Sequence, residues 1–227
     1  MTGNKMVLRG FIFDLDGVIV DTAKYHFLAW KRLADQLKID FTEKDNESLK
    51  GVSRMKSLDI ILEIGSMEPD HESKAKYAAL KNKWYIDYIS KMTPGEILPG
   101  SIEFLKELKY AGKLIALGSA SKNTPMILER LGIKNMFDAI VDGNIVSKAK
   151  PDPEVFLIAS RMLRLDPSEC IVFEDAVAGV QAALAAGMIC VGIGSKEILT
   201  EAHVVVKGLD MMNLKKIEEI EKTFCRE

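Results

Sequence analysis

The chain is poor in cysteine and histidine, with three of each in 227 residues. Cys170, Cys190 and Cys225 lie far apart and form no CxxC pair, so neither a disulfide framework nor a zinc site has material to build on. An excess of cations is also missing. Thirty-one Lys and Arg stand against 33 Asp and Glu, for a formal charge of −2. Nothing in that balance displaces counterions from nucleic acid or favours an anionic membrane surface, so neither is expected as a partner. Long uncharged runs are scarce. Residues 176–195 have membrane-spanning length, but Gly179, Gln181, Gly187, Gly192 and Gly194 interrupt them. They read instead as a buried Ala-rich helix, a turn at Gly187 and a strand over 189–193. The opening segment, MTGNKMVLRG, lacks the apolar centre of a secretory leader. The expectation is a cytoplasmic protein with reduced thiols.

What is present is globular. Hydrophobic residues make up 48% and charged residues 28%, which excludes disorder over most of the chain. The length suits one to two domains. Short apolar runs at 8–13, 114–117, 139–141, 171–173 and 189–193, with a weaker one at 204–206, read as strands. Helical patterns at 101–110, 125–131, 153–163, 177–186 and 214–224 alternate with them or follow them. Such alternation implies right-handed crossovers and a parallel sheet. The interval 22–89 differs, showing helical spacing and no convincing strand. Leu28, Leu33 and Leu37 mark one helix, Leu58, Ile61 and Leu62 a second, and Tyr77, Leu80, Trp84 and Tyr88 a third. The predicted architecture is α/β: a core formed by residues 1–21 and 90–227, and a helical cap inserted over 22–89. Two linkers to one cap make a natural hinge.

Ligands of open α/β sheets bind beyond the carboxyl ends of the strands. Asp14 and Asp16 follow the first strand here. Ser119, Ser121, Lys122 and Asn123 follow the second, Lys150 the third with its loop, and Glu174 and Asp175 the fourth. Four carboxylates in one place repel unless a cation joins them. Oxygen donors without His or Cys suit Mg²⁺, which keeps positions open for phosphate oxygens. In the DxD pair, one carboxylate can attack phosphorus while the next works as acid and base.

These motifs resemble the haloacid dehalogenase-like (HAD) superfamily of aspartate-nucleophile phosphotransferases. DLDGVIVDT at 14–22, Ser119, Lys150-Pro151 and Glu174-Asp175 match its four motifs in order. The resemblance implies a Rossmann-like three-layer core. Asp14 would be the nucleophile and a Mg²⁺ ligand. Asp16 would be the general acid and base, with its backbone carbonyl on the metal. Ser119 and Lys150 would hold the transferring phosphoryl group. Asp175 would bind the metal, and Glu174 would do so directly or through water.

In that superfamily the cap decides the substrate. Thr22, His26 and Trp30 share a helix face by their i, i+4, i+8 spacing. His26 is expected to hydrogen-bond Asp16 and hold it away until the cap closes, whereas Trp30 alone suits a core role. Gly51, Val52, Ser53 and Arg54 form a loop whose arginine can fork onto a phosphate. Lys81-Asn82 lies on the third cap helix, and Ser119, Ala120, Ser121, Lys122 and Asn123 form a polar loop on the core. YHFLAW, LKGVSR, KN and SASKN are together similar to the phosphosugar-mutase branch of the superfamily. That likeness implies β-D-glucose 1-phosphate and β-D-glucose 6-phosphate as substrates and a bisphosphate intermediate. It implies contacts with the sugar phosphate from Gly51, Val52 and Arg54 on the cap and from Ser121, Lys122 and Asn123 on the core. A phosphosugar or phosphoglycolate phosphatase with the same core and a leakier cap is the alternative. A monomer is the default expectation, because cap closure needs free motion.

Overall fold

The computed structural model describes residues 7–49 and 52–224. Lys50, Gly51 and Cys225 fall outside the described residues. Strand β1 (Gly10–Phe13) leads into four helices without an intervening strand: α1 (Ala23–Gln36), α2 (Glu43–Glu47), α3 (Arg54–Ile64) and α4 (His71–Ile89). The chain then continues through α5 (Ser101–Tyr110), β2 (Leu114–Gly118), α6 (Thr124–Leu131), β3 (Ala139–Val141) and α7 (Glu154–Leu163). It closes with β4 (Cys170–Glu174), α8 (Val177–Ala185), β5 (Ile189–Ile193), β6 (Val204–Val206) and α9 (Leu214–Phe224). The uncharged stretch divides as its glycines suggest, into α8, a left-handed Gly187 and β5. Among the described residues, no helix is long and apolar enough to cross a membrane.

The six strands form one parallel sheet in the order β3-β2-β1-β4-β5-β6. Strand side chains alternate between its two faces. Phe11 and Phe13 of β1, with Leu117 and Phe173, join the apolar cluster under α5, α6 and α9. Ile12, Ala116, Val172 and Cys190 join the cluster under α7 and α8. Phe13 stacks on Phe173 at 4.5 Å, and Phe104 of α5 meets both rings edge-on at 6.0 and 5.6 Å. Each such pair contributes about 0.5–1.5 kcal/mol beyond area burial. The stack braces the two strands whose next residues are acids. Cys170 and Cys190 are free thiols buried within the sheet.

Two helix faces differ from the periodicity reading. On α1, Leu28 is 47% exposed, and the buried stripe is Ala29, Trp30, Leu33 and Ala34. On α4 the buried residues are Ala78, Lys81, Trp84, Tyr85 and Ile89, while Tyr77, Leu80 and Tyr88 flank them half-buried. The inward stripe is therefore rotated about one residue, and it carries a lysine. The reason is the facing surface: Trp30 and Tyr85 stack their rings around the Lys81 ammonium, at 4.5 and 4.7 Å from the ring centres. Such cation–π contacts, together with its long methylene stem, let lysine occupy an apolar face.

Candidate active site

The site begins where β1 and β4 end level with each other, Phe13 pairing with Phe173. The strand order reverses at β1, which puts a crevice beyond its carboxyl end. Asp14 anchors there by donating its N–H to the Phe173 carbonyl at 2.9 Å. Its Oδ1 accepts from Lys150 Nζ at 2.6 Å, and its Oδ2 accepts from the Asp16 N–H at 2.9 Å. Lys150 Nζ also donates to Glu174 Oε2 at 2.8 Å and lies 4.9 Å from the Phe156 ring centre. Among the described residues, Asp14, Glu174 and Asp175 bring carboxylate oxygens within 4.8 Å of one another.

Asp14 and Glu174 thus share one ammonium, with Asp175 beside them. Burial alone would lower the Lys150 pKa, but the charges of Asp14 and Glu174 hold it above the usual lysine value. Burial, with the Asp14 charge adding to it and Lys150 opposing, pushes Glu174 up to about 7. Surplus negative charge in a dry site calls for a cation. A donor set of carboxylate oxygens without His or Cys fits Mg²⁺.

Two glycines make room for these acids. Gly17 sits at φ +78°, and a Cβ there would lie 2.1 Å from Asp175 Oδ2. A Cβ on Gly179 of α8 would lie 2.0 Å from Glu174 Cδ. The sequence signal for Gly17 was inside the DLDG motif; Gly179 had none beyond a glycine in a helix.

Asp16 keeps its carboxylate apart from the acid cluster. Its Oδ1 accepts a hydrogen bond from Thr22 Oγ1. Burial first, then the Asp14 charge, raises its pKa to about 7, a value suited to both giving and taking a proton near neutrality. The expected bond from His26 to Asp16 is absent, because Thr22 holds that position. His26 Nδ1 lies 3.0 Å from Lys81 Nζ instead, with its ring 4.2 Å from that of Tyr85. Burial, then the Lys81 and Arg54 charges, lowers the His26 pKa well below its ordinary value. The imidazole is therefore neutral, with Nδ1 accepting from the lysine. Burial, then Arg54, also lowers the Lys81 pKa well below that of a free lysine.

The crevice between sheet edge and helices is a cleft of about 600 Å³. Its core wall includes Asp14, Asp16, Lys150 and Asp175 together with Ala120, Ser121, Lys122 and Asn123. Its helical wall includes Thr22, His26, Trp30, Val52, Ser53, Arg54 and Lys81. Ser119 and Glu174 lie behind this surface. Ser119 is fully buried, and its Oγ accepts from the Ser121 N–H at 3.1 Å. Ser53 caps α3 through Lys56 N, so Arg54 is the first residue of that helix. The walls touch where Asn123 Nδ2 donates to Asn82 Oδ1 at 3.1 Å. Sequence reasoning passed over Asn46, which lines the helical wall, and Tyr85, which packs behind it.

The fold and the gathered motifs define a class, and the comparisons agree with it. Residues 8–187 match the haloacid dehalogenase-like hydrolase family, and the chain belongs to that family. Over 214 residues it is 44% identical to the β-phosphoglucomutase of Bacillus subtilis, spanning 93% of this chain and 95% of that one. A crystal structure of β-phosphoglucomutase from Clostridium difficile superimposes with a TM-score of 0.92 at 43% identity, covering 96% of this chain and 99% of that one. A phosphorylated carbohydrates phosphatase of Thermotoga maritima is 30% identical over 216 residues, spanning 92% of this chain and 99% of that one.

Proposed function

We propose that this protein is a Mg²⁺-dependent phosphosugar mutase that interconverts β-D-glucose 1-phosphate and β-D-glucose 6-phosphate. The observation that carries the reading is a single cleft with cationic groups on both walls: Lys150 beside Asp14 on the core, and Arg54 and Lys81 on the helical side. A substrate with phosphate at either end finds a partner at both. The likeness to two β-phosphoglucomutases supports the choice of sugar.

In the first half-reaction, an Asp14 carboxylate oxygen attacks phosphorus and the bond from phosphorus to the sugar oxygen breaks. Asp16 gives its proton to that leaving oxygen. In the second, the free hydroxyl of a sugar monophosphate, which keeps the phosphate at its other end, attacks phospho-Asp14 to form a bisphosphate, and Asp16 takes the proton back. The bisphosphate formed turns round in the cleft before it returns a phosphoryl group. Lys150 stays charged and neutralises the phosphoryl oxygens, and Ser119 supports the loop that holds them. Asp14, Asp175, the Asp16 carbonyl and Glu174 would hold Mg²⁺, which would supply further positive charge toward the transferring group.

Segment 22–89 acts as the cap. Arg54 and Lys81 hold the distant phosphate, with Ser121, Lys122 and Asn123 completing that end. Val52, Ser53 and Ala120 line the passage to it. Thr22, His26 and Trp30 form the cap floor that orients Asp16 and Lys81. Water has to be excluded while Asp14 is phosphorylated. The apolar cluster shared by helices α1, α3 and α4 and the sheet, and the Asn82–Asn123 bond, support tight closure.

The Thermotoga relative keeps a second reading in play, that of a phosphosugar hydrolase. The test is the protein with Mg²⁺, β-glucose 1-phosphate and a trace of bisphosphate. A mutase yields glucose 6-phosphate with little free phosphate; equimolar phosphate and glucose mark a hydrolase and refute the proposal.

A further inference from the structure

The polar loop on the core wall, residues 119–123, must keep one shape if Lys122 is to meet a ligand in the cleft. Part of that shape is its own: Ser119 Oγ accepts from the Ser121 N–H at 3.1 Å, and Ser121 Oγ accepts from the Asn123 N–H at 3.2 Å. Further support comes from another loop, the turn that follows β3. Gly143 donates its N–H to the Ser121 carbonyl at 3.1 Å, and Asn144 Nδ2 donates to the Lys122 carbonyl at 3.1 Å. The two backbones lie so close that a Cβ on Gly143 would collide with the Ala120 carbonyl oxygen and the Lys122 nitrogen. The turn does not need the Asn144 amide for itself. Asp142 is buried and closes it, its Oδ1 accepting the Asn144 N–H at 2.8 Å and its carbonyl accepting the N–H groups of Ile145 and Val146 at 3.0 and 3.3 Å.

A lysine is a compact charge on a flexible stem, so the backbone beneath it decides what its ammonium can reach. Lys122 and Gly143 line the cleft, whereas the exposed Asn144 stands behind it and makes its hydrogen bond to the Lys122 backbone. We infer that Asn144 is a positioning residue: its amide, with Gly143 packed against the loop, holds Lys122 where it receives the distant phosphate of the sugar. The inference rests on the phosphosugar reading above for what Lys122 binds, and it adds a residue that none of the sequence motifs marked. Asn144 acts on the substrate only through the loop, so its effect belongs to binding at that end and not to the transfer step at Asp14.

The experiment measures KM and kcat on β-glucose 1-phosphate for the parent enzyme, Asn144→Ala, Asn144→Asp, Lys122→Ala and the double variant Asn144→Ala with Lys122→Ala. Loss of the one hydrogen bond should raise KM roughly three- to tenfold in both Asn144 variants, with kcat changed less than about twofold. Aspartate keeps the shape of asparagine without its N–H donors, so it should match alanine. In the Lys122→Ala background the Asn144 change should add less than about twofold, because the residue it positions is already gone. Asn144 is exposed, so its replacement leaves the core intact, and circular dichroism checks that each variant is folded. A KM unchanged in Asn144→Ala, an Asn144→Asp enzyme that matches the parent, or effects that multiply in full in the double variant each overturn the inference. A parent enzyme that releases phosphate instead of isomerising overturns the mutase reading alone, since the same KM comparison is then read on phosphate release; a parent with neither activity overturns both.

Discussion

Replacing Lys81 by methionine separates stability from function. The Lys81 side chain is 2% exposed, and its hydrogen-bond partner is the neutral His26 imidazole rather than a carboxylate. Desolvating an ammonium costs several kcal/mol. Against that stand two cation–π contacts, with Trp30 and Tyr85, worth about 0.5–2 kcal/mol each. Methionine matches the stem and keeps the apolar packing. The Lys81→Met protein should therefore be more stable by about 1–3 kcal/mol at pH 7, or roughly 3–8 °C in Tm for a chain of this size. The sign of the pH dependence follows from the lowered lysine pKa. Between the folded value and 10.5 the unfolded chain binds the extra proton, so parent stability rises with pH. The penalty is fully present below the folded pKa and fades toward 10.5, so the advantage of the variant shrinks in the same direction. Urea unfolding followed by tryptophan fluorescence at pH 7 and in the alkaline range measures both. Turnover should fall about 10–100-fold, the loss of a charged hydrogen bond to phosphate. A variant less stable than its parent at pH 7 by more than about 1 kcal/mol would refute the desolvation argument.

Other changes read other parts of the site. Gly179→Ala places a Cβ against Glu174 and should displace its carboxylate; the Mg²⁺ concentration for half-maximal turnover should rise about tenfold or more, read in a metal titration. His26→Ala removes the acceptor that pins Lys81 Nζ, so KM for the phosphosugar should rise roughly fivefold with a folded protein by circular dichroism. Glu96 accepts from Tyr25 Oη at 2.5 Å, from Lys24 Nζ at 3.0 Å and from the Thr93 N–H at 3.1 Å, joining the first turn of α1 to the segment that follows α4. Glu96→Gln should loosen closure and increase phosphate release relative to isomerisation, measured side by side in coupled assays; an unchanged ratio would show that this clamp does not govern water exclusion.

The core site was legible because its logic is local. Each strand ends in a short polar motif, and a parallel sheet must bring strand ends to one edge. Asp14, Lys150, Glu174 and Asp175 therefore converge as the spacing implies. The helical wall was less legible because its logic is tertiary. Periodicity marked α4 correctly but rotated its buried face, since no local rule turns Lys81 inward between Trp30 and Tyr85. His26 was assigned to Asp16 by helix spacing alone, whereas the shorter reach of Thr22 from the helix N-cap claims that carboxylate. Asn46 sits on a five-residue helix too short to register a period, so its position in the cleft emerges only from the fold.

The account stands on Asp14 taking the phosphoryl group. Incubating the protein with Mg²⁺ and radiolabelled β-glucose 1,6-bisphosphate, followed by rapid acid quench, tests that directly. Label should stay with the protein, be released by hydroxylamine, map to the peptide containing Asp14, and be absent from Asp14→Asn. Label retained by Asp14→Asn, or turnover without any labelled protein at the shortest quench times, would contradict it.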